Sequence, residues 1–554
     1  MTRPWLAHYP KDIPSVVDTA CFSSLADLFK DAVARHGSAI ALESLGHTLT
    51  FLELDERSTA LAAYFSCTLG LKSGDRIALM LPNCMQAVIA MIAAFKAGLV
   101  VVNVNPLYTV RELVHQMNDA KPKAIIVLAN VANTLADALP QIHIEHIIIS
   151  ELGDAFPVHK AWLVNAVLKY IKRMVPHFCI RSTIKFRQAL ARGRKQRAAF
   201  KLAKLNQNSL AFLQYTGGTT GVAKGAMLSH GNLVANVIQA YTWIHSTISG
   251  QGDVAITPLP LYHVFSLVAS CWVYLHAGVH NVLVTNPRDL PKLVDLFKTH
   301  RVKALMGVNT LFNALANNED FAKLDHSSLK LVIAGGMALQ APVAKRWHAV
   351  TGNHIIEGYG LTETSPIVSI GLLDGQGFTG SIGLPVPCTD VAIFNDTGET
   401  LPAGEVGELC VKGPQVMQGY WQQEAETANV FWSNGWLRTG DMAKLDENGF
   451  IYIVDRKKDM ITVAGFNVYP NEVEAVIASH PKVLEVGVVG VPNRITGESV
   501  MAYVVAADKS LTKTELNAFC RDNLVSYKVP RRFKFMDELP KSNVGKILRR
   551  ELKS

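Results

Sequence analysis

Apolar residues between positions 24 and 128 follow two alternating patterns. Leu25, Leu28, Phe29 and Val33 recur at one-turn spacing, which predicts a helix over 24–34. A short strand at 48–51 leads into a second helix over 52–65, with Leu54, Leu61 and Phe65 on its apolar side. The runs 76–81, 100–104 and 124–128 read as buried strands, with helices over 86–96 and 111–118. Strands alternating with helices in this way predict α/β layering around a parallel sheet. The rhythm returns at 330–337, a strand ending in a double-glycine turn, then a helix over 342–350 and a strand from 355 that enters a polar loop. Ligands sit at the carboxyl ends of strands in such sheets, which makes Gly335, Gly336, Gly358 and Gly360 candidate ligand contacts.

From residue 381 the texture changes. Short β-like runs at 391–394, 407–412 and 449–454 are separated by Gly, Pro and Asp turns, predicting a β-rich subdomain over about 381–454. The charged stretch 455–459 lies between two apolar strands and reads as a hinge, centred on 455–458. Beyond it, 471–480, 483–489, 500–505, 513–523 and 532–535 give an α+β pattern. The expected organisation is a large N-terminal domain of layered α/β subdomains plus the β-rich one, 1–454, and a small C-terminal α+β domain, 459–554.

At 554 residues with 49% apolar and 18% charged side chains, the chain has the composition of a multidomain globular protein. Residues 1–14 are polar and Pro-rich, so no secretory leader is expected. The longest apolar run, 264–275, is too short to span a bilayer. Eight scattered cysteines with no C-x-x-C pair argue against a disulfide framework and a zinc site, and a cytoplasmic setting is the default. The net charge of +8 is local: thirteen Lys and Arg lie between 160 and 204 in a window, 155–252, with no Asp or Glu. Without those thirteen the remainder carries −5, which points to one anionic surface as partner and away from nucleic acid. Within this window 161–175 places Trp162, Leu163, Val167, Leu168, Ile171 and Val175 on a broad apolar face, with Lys169, Lys172 and Arg173 largely elsewhere. That pattern suits both a helix lying on a membrane and a surface helix packed on its own domain.

The stretch from Tyr215 to Gly225 carries the clearest chemistry. Gly217, Gly218 and Gly221 permit close backbone approach to a ligand, and Thr216, Thr219 and Thr220 add hydroxyl donors. Lys224 supplies a point charge suited to phosphate. The reading is a loop that holds a polyphosphate. It does not fit the Gly-x4-Gly-Lys-Ser/Thr loop of the P-loop nucleotide hydrolases, because Ala223 precedes the lysine and Gly225 follows it.

Taken in order, this loop, the segment 355–366 with Thr362 and Glu363, the run from Trp436 to Asp441, the stretch 455–459 and the tail around Lys546 resemble the AMP-forming acyl-CoA synthetases of the adenylate-forming superfamily. The resemblance spans essentially the whole chain and is greatest to bacterial long-chain fatty-acid–CoA ligases. It implies a fatty acid activated by ATP and Mg²⁺ to acyl-AMP, then transferred to coenzyme A, with AMP and pyrophosphate released. It implies residues 216–224 around the phosphates, Glu363 and Thr216 on Mg²⁺, and Thr362 beside them in the catalytic segment. Tyr359 is expected against adenine with Gly335 and Gly336 making room and Gly358 and Gly360 nearby, Asp441 on the ribose hydroxyls and Arg456 near ribose and phosphate. Lys546 is expected to bridge the carboxylate and α-phosphate, offsetting the repulsion between two anions. In this family the small domain is mobile and rotates about the position of Lys458, exchanging Lys546 for the loop with Gly465 and Phe466, which faces the pantetheine channel; a Cβ at 465 would obstruct the thiol path. The acyl pocket is expected at His263, Val264 and Phe265, near 306–311 and Gly335.

The rival readings share much of this frame. A peptide-synthetase adenylation domain is disfavoured because no carrier domain follows, and an aryl-CoA ligase or a luciferase-like oxygenase by the basic window. A medium-chain acid as substrate stays open, as does a catalytically silent lipid-binding protein. The expected setting is the cytoplasm, with peripheral association at the inner face of the cell membrane through anionic lipid; a homodimer is left open.

Overall fold

The β-branched run Val100–Asn103 sits in the middle of a sheet, paired in parallel with Arg76–Met80 on one side and Leu210–Thr216 on the other. In the computed structural model of the chain, residues 3–553 are described apart from 217–222, 376 and 543–544. This seven-stranded sheet continues outward through Ala124–Leu128, His146–Ser150 and Thr183–Lys185, and ends on its other edge in Lys224–Ser229, antiparallel to Leu210–Thr216. A nine-stranded sheet faces it. Its central strands Val254–Thr257, Val302–Gly307, Leu331–Ala334 and Ile356–Gly360 are parallel, and its edge strands, Ile367–Ile370 with Leu384–Pro385 and His47–Thr50, are antiparallel. The expected parallel sheet is therefore two mixed sheets.

The sheets share one core because the helices between them are apolar all round. Every residue of Met85–Lys96 but Ala87 is buried, and Lys96 is tolerated because its ammonium donates to Asp55, Ser58 and Thr59 at 2.6–3.0 Å. The run after His263 is also a helix of this layer, π-wound over Ser266–Trp272 and then α-helical to Ala277, with Trp272 and Phe212 both packed on Phe95.

Two smaller sheets follow. Asp390–Phe394, Gly407–Lys412, Leu437–Leu445 and Ile451–Arg456 form a four-stranded antiparallel sheet in that order. The last five-stranded sheet, 461–535, carries its own core, including Val468, Val473, Val486, Val504 and Leu516. The helix expected over 161–175 is Val158–Ala166 continued by a π turn, Val167–Ile171. Its apolar residues do not share one face: Val164 and Leu168 pack on the core, whereas Trp162, Leu163, Tyr170 and Ile171 are 56–75% exposed.

Candidate functional site

Two groups of side chains, one around Lys224 and one around Asp441, are set by strand ends. Thr216 ends its strand opposite Lys224, so the two enter and leave the loop as register partners. Gly217, Gly218, Thr219, Thr220 and Gly221 lie outside the described residues. The segment 417–421 runs alongside Lys224–Ser229 through hydrogen bonds from Met227 N to Gly419 O and from Trp421 N to Gly225 O, both 2.8 Å. This sets the Tyr420 ring 5.3 Å from the Lys224 ammonium, which also pairs with Glu426. The Tyr420 hydroxyl donates to Glu363 Oε1 at 2.6 Å, and Met417 N donates to Glu363 O at 2.8 Å. Glu363 thus faces Lys224 across one tyrosine. Thr362 opens the short 3₁₀ turn that carries it. Tyr420 and Glu426 escape a reading of the sequence because their roles arise only from tertiary contact; the aromatic pair Tyr420-Trp421 inside a polar loop is the one signal that marks them.

A second group lies where Ile356–Gly360 meets the four-stranded sheet. Tyr359 donates to Asp441 Oδ2 at 2.6 Å, and Arg456, the register partner of Asp441, has Nε 3.6 Å from Oδ1. Burial and the adjacent carboxylate hold the Tyr359 phenol well above its usual pKa, so it donates at any ordinary pH. Gly360 is required by packing: a Cβ there would stand 1.9 Å from Pro366 O. Gly358 has a looser neighbour, Ile333 Cγ2 at 3.3 Å.

The third group surrounds Lys546. A small cleft is lined by His263, Phe265, Val308, Gly336, Met337 and Lys546 among others. Desolvation, then Arg456, pushes the Lys546 ammonium down to about 7, although Asp441 pulls the other way. Burial, assisted by Lys546, lowers His263 to about 4, so this imidazole is neutral. The expected acyl-pocket residues divide: His263 and Phe265 line the cleft, whereas Val264 is 1% exposed and belongs to the core behind it. Neighbours on a turn point different ways. Gly335 makes room for Phe265, whose ring would be 2.8 Å from a Cβ at that position. The tail is held by Thr310 Oγ1, which donates to Gly545 O at 3.3 Å, and by hydrogen bonds between Ser542 and Lys546.

The loop bearing Gly465 and Phe466 is not brought into this constellation. Phe466 is 56% exposed and stacks on Tyr527 at 4.7 Å, and nothing lies within 4 Å of a Cβ at Gly465. In this arrangement the glycine is explained by its φ of +86°, and not by obstruction. Lys458 follows the last residue pair of the four-stranded sheet, in the turn after Arg456.

The profile of the AMP-binding enzymes matches residues 29–421, and that of the AMP-binding enzyme C-terminal domain matches 472–546. The chain belongs to the AMP-binding enzyme family. A long-chain-fatty-acid–CoA ligase of Escherichia coli O6:H1 is 50% identical over 553 residues, covering 100% of this chain and 98% of that protein. The ligase of the same name from Haemophilus influenzae is 48% identical, again over 100% and 98% of the two chains. Among solved structures, ATP-bound MatB from Rhodopseudomonas palustris superposes with a TM-score of 0.79 at 29% identity, covering 95% of this chain and 98% of that one. This AMP-binding enzyme has the adenylate-forming fold, a mixed α/β large N-terminal part followed by a small C-terminal one. Among its described residues no helix is long and apolar enough to cross a membrane.

Proposed function

We propose that this enzyme is a long-chain fatty-acid–CoA ligase that works through an acyl-adenylate. The observation that carries the reading is the gathering of Arg456, Asp441 and Tyr359 near Lys546, which itself lines an apolar cleft. Family membership and full-length relatives at 48–50% identity support it.

The fatty carboxylate enters from the cleft and its oxygen attacks the α-phosphorus of ATP; the bond to pyrophosphate breaks. Lys546 lies between the two anions and stabilises charge as it moves to the leaving group. Asp441 accepts from the ribose hydroxyls, with Tyr359 already oriented on its other oxygen, and adenine lies against the Tyr359 ring. Lys224 and the loop 216–221 take the departing phosphates. In the second step the coenzyme A sulfur attacks the acyl carbon and its bond to AMP breaks, after the small domain, 459–554, rotates about Lys458 and presents Gly465 and Phe466.

The donors fit Mg²⁺ that arrives with ATP. Among the described residues Tyr420 donates to Oε1 of Glu363, so Oε2 and the Thr216 hydroxyl are available as hard oxygen donors, and no group of three His, Cys, Asp or Glu side chains forms a metal cage of its own. The ion, bound there, would neutralise phosphate charge.

The apolar cleft is the argument for a fatty substrate. Apolar side chains, Leu79, Met91, Leu261 and Leu267 among them, also gather around a second, water-sized void. ATP–pyrophosphate exchange across carboxylic acids from acetate through coumarate to oleate tests the reading. Exchange that rises steeply with chain length supports it; exchange dependent on coumarate or acetate alone overturns it. The exposed apolar ridge Trp162, Leu163, Tyr170 and Ile171, flanked by Lys169, Lys172 and Arg173, supports reversible binding to the anionic inner face of the membrane, where fatty acids partition.

A further inference from the structure

The strand Ile451–Arg456 ends in a carboxylate that is almost wholly enclosed. The Asp455 side chain is 1% exposed, although its stretch of sequence is strongly hydrophilic. Oδ1 accepts from Arg456 N at 2.7 Å and from Arg549 Nη1 at 3.2 Å. Oδ2 accepts from Asn471 N at 2.7 Å. Asn471 is the second residue of the helix Pro470–Ala478, whose own N-cap residue, Tyr469, provides no side-chain acceptor. A carboxylate from the four-stranded sheet therefore caps a helix of the following sheet, where the exposed N–H groups and the helix dipole favour a negative charge.

Arg549 completes the connection. Its Nε and Nη2 fork onto Glu474 at 3.0 and 2.7 Å, Nη2 donates to Asn471 Oδ1 at 2.5 Å, and Nη1 lies 3.5 Å from Asp459. It stands three residues beyond Lys546 on the same tail. Glu474, Asn471, Asp459 and Arg549 all follow Lys458 in the chain; Asp455 precedes it. Under the proposed rotation about Lys458, the first four travel together and keep their contacts, whereas both small-domain partners of Asp455 leave it. Asp455 thus makes interactions in this orientation that the rotated one loses, which is the condition for biasing a two-state equilibrium.

We propose that Asp455 is a positioning residue for the first half-reaction: by capping the helix Pro470–Ala478 and pairing with Arg549, it selects the orientation in which Lys546 occupies the site. The bias is needed because that orientation crowds Lys546 against Arg456 and Lys458. The proposal rests on the domain rotation set out above.

The test is Asp455→Asn, which keeps the shape and removes the charge. Pyrophosphate exchange should fall about tenfold, within the range typical of conformational coupling. Transfer from supplied acyl-AMP to coenzyme A should hold or rise. In the Lys546→Ala background the same change should cost exchange nothing more, because no lysine remains to be positioned; general structural damage would add in both backgrounds. Should Asp455→Asn fail to fold, Asp455→Glu, which retains the charge but shifts it, takes its place with the same expected split. Equal loss of both half-reactions, or no loss of exchange, overturns the proposal. If Lys546→Ala itself spares exchange, the underlying assignment of the lysine falls; if Lys546→Ala splits the half-reactions and Asp455→Asn does not, only the role of Asp455 falls.

Discussion

Gly465 and Gly545 sit on the same small domain, each beside a residue expected to serve chemistry, yet their surroundings are opposite. A Cβ at Gly545 would meet Thr310 Oγ1 at 2.7 Å, because the tail is pressed against the large domain and Lys546 enters the cleft. A Cβ at Gly465 would meet nothing within 4 Å among the described residues, and Phe466 beside it stacks on Tyr527 of the same domain. One surface of the small domain is engaged and the other is idle. On the proposed function this is the arrangement that makes the acyl-adenylate, and the idle loop is what the second step would bring in.

The largest effect should come from the engaged surface. Lys546→Ala removes the one cation that reaches the cleft from the tail, and pyrophosphate exchange should fall about 10²–10³-fold. Thioester formation from supplied acyl-AMP should persist, as a stopped assay with radiolabelled coenzyme A would show. Gly465→Leu should do the reverse, blocking transfer while leaving exchange near normal. The left-handed backbone at 465 adds a strain of roughly 1–2 kcal/mol, so a modest fall in thermal midpoint should accompany it. Loss of exchange in a folded Gly465→Leu enzyme would remove the contrast between the two surfaces.

A smaller effect should appear in the pH dependence. The Lys546 ammonium is lowered by burial and Arg456 to about 7 from an ordinary 10.5, and catalysis needs it charged. For exchange, kcat/KM should therefore fall as pH rises through about 7, since this parameter reports the free enzyme. Between that pH and the ordinary value the inserted tail binds fewer protons than the free one, so insertion itself is favoured as pH rises. Lys546→Arg, charged throughout, should flatten the alkaline limb. An unchanged limb assigns it to another group.

The smallest effect on turnover belongs to the ridge at 158–174. Reversing Lys169, Lys172 and Arg173 to Glu should weaken co-sedimentation with anionic vesicles and leave turnover of detergent-dispersed substrate alone. Binding by the unaltered enzyme should weaken steeply with salt, because charge attraction across water is screened within about 8–10 Å. Equal binding to neutral and anionic vesicles, or none to either, contradicts the membrane reading.

Much of the α/β body was legible because its periodicity is local. The runs 76–81, 100–104 and 124–128 become adjacent strands, and the helix over 86–96 is recovered within a residue. What failed depended on contacts distant in sequence. That Asp455, in the charged stretch read as a hinge, is enclosed depends on Arg549, 94 positions later, and on the helix at Asn471, both of which donate to it. Val264 was grouped with its neighbours, yet the turn after Pro260 aims His263 and Phe265 at the cleft and Val264 at the core. Gly335 was expected beside adenine and the acyl pocket, and the ring that a Cβ there would meet, Phe265, is a neighbour no local pattern encodes. Tyr420 joins Glu363 to Lys224 from a loop without periodicity.

The central claim, that this arrangement makes the acyl-adenylate and must be left for thioester formation, can be tested by locking it. A Cβ at Gly545 would lie 4.0 Å from Thr310 Cβ, within the range of a disulfide. Thr310→Cys with Gly545→Cys, in a chain whose exposed Cys21, Cys67 and Cys179 are replaced by Ser, should form that bridge on oxidation. The oxidised enzyme should retain ATP–pyrophosphate exchange with oleate and lose transfer to coenzyme A, and a reductant should restore transfer. Transfer that continues in the fully oxidised enzyme would show that both half-reactions occur in the arrangement seen here, and would contradict the account.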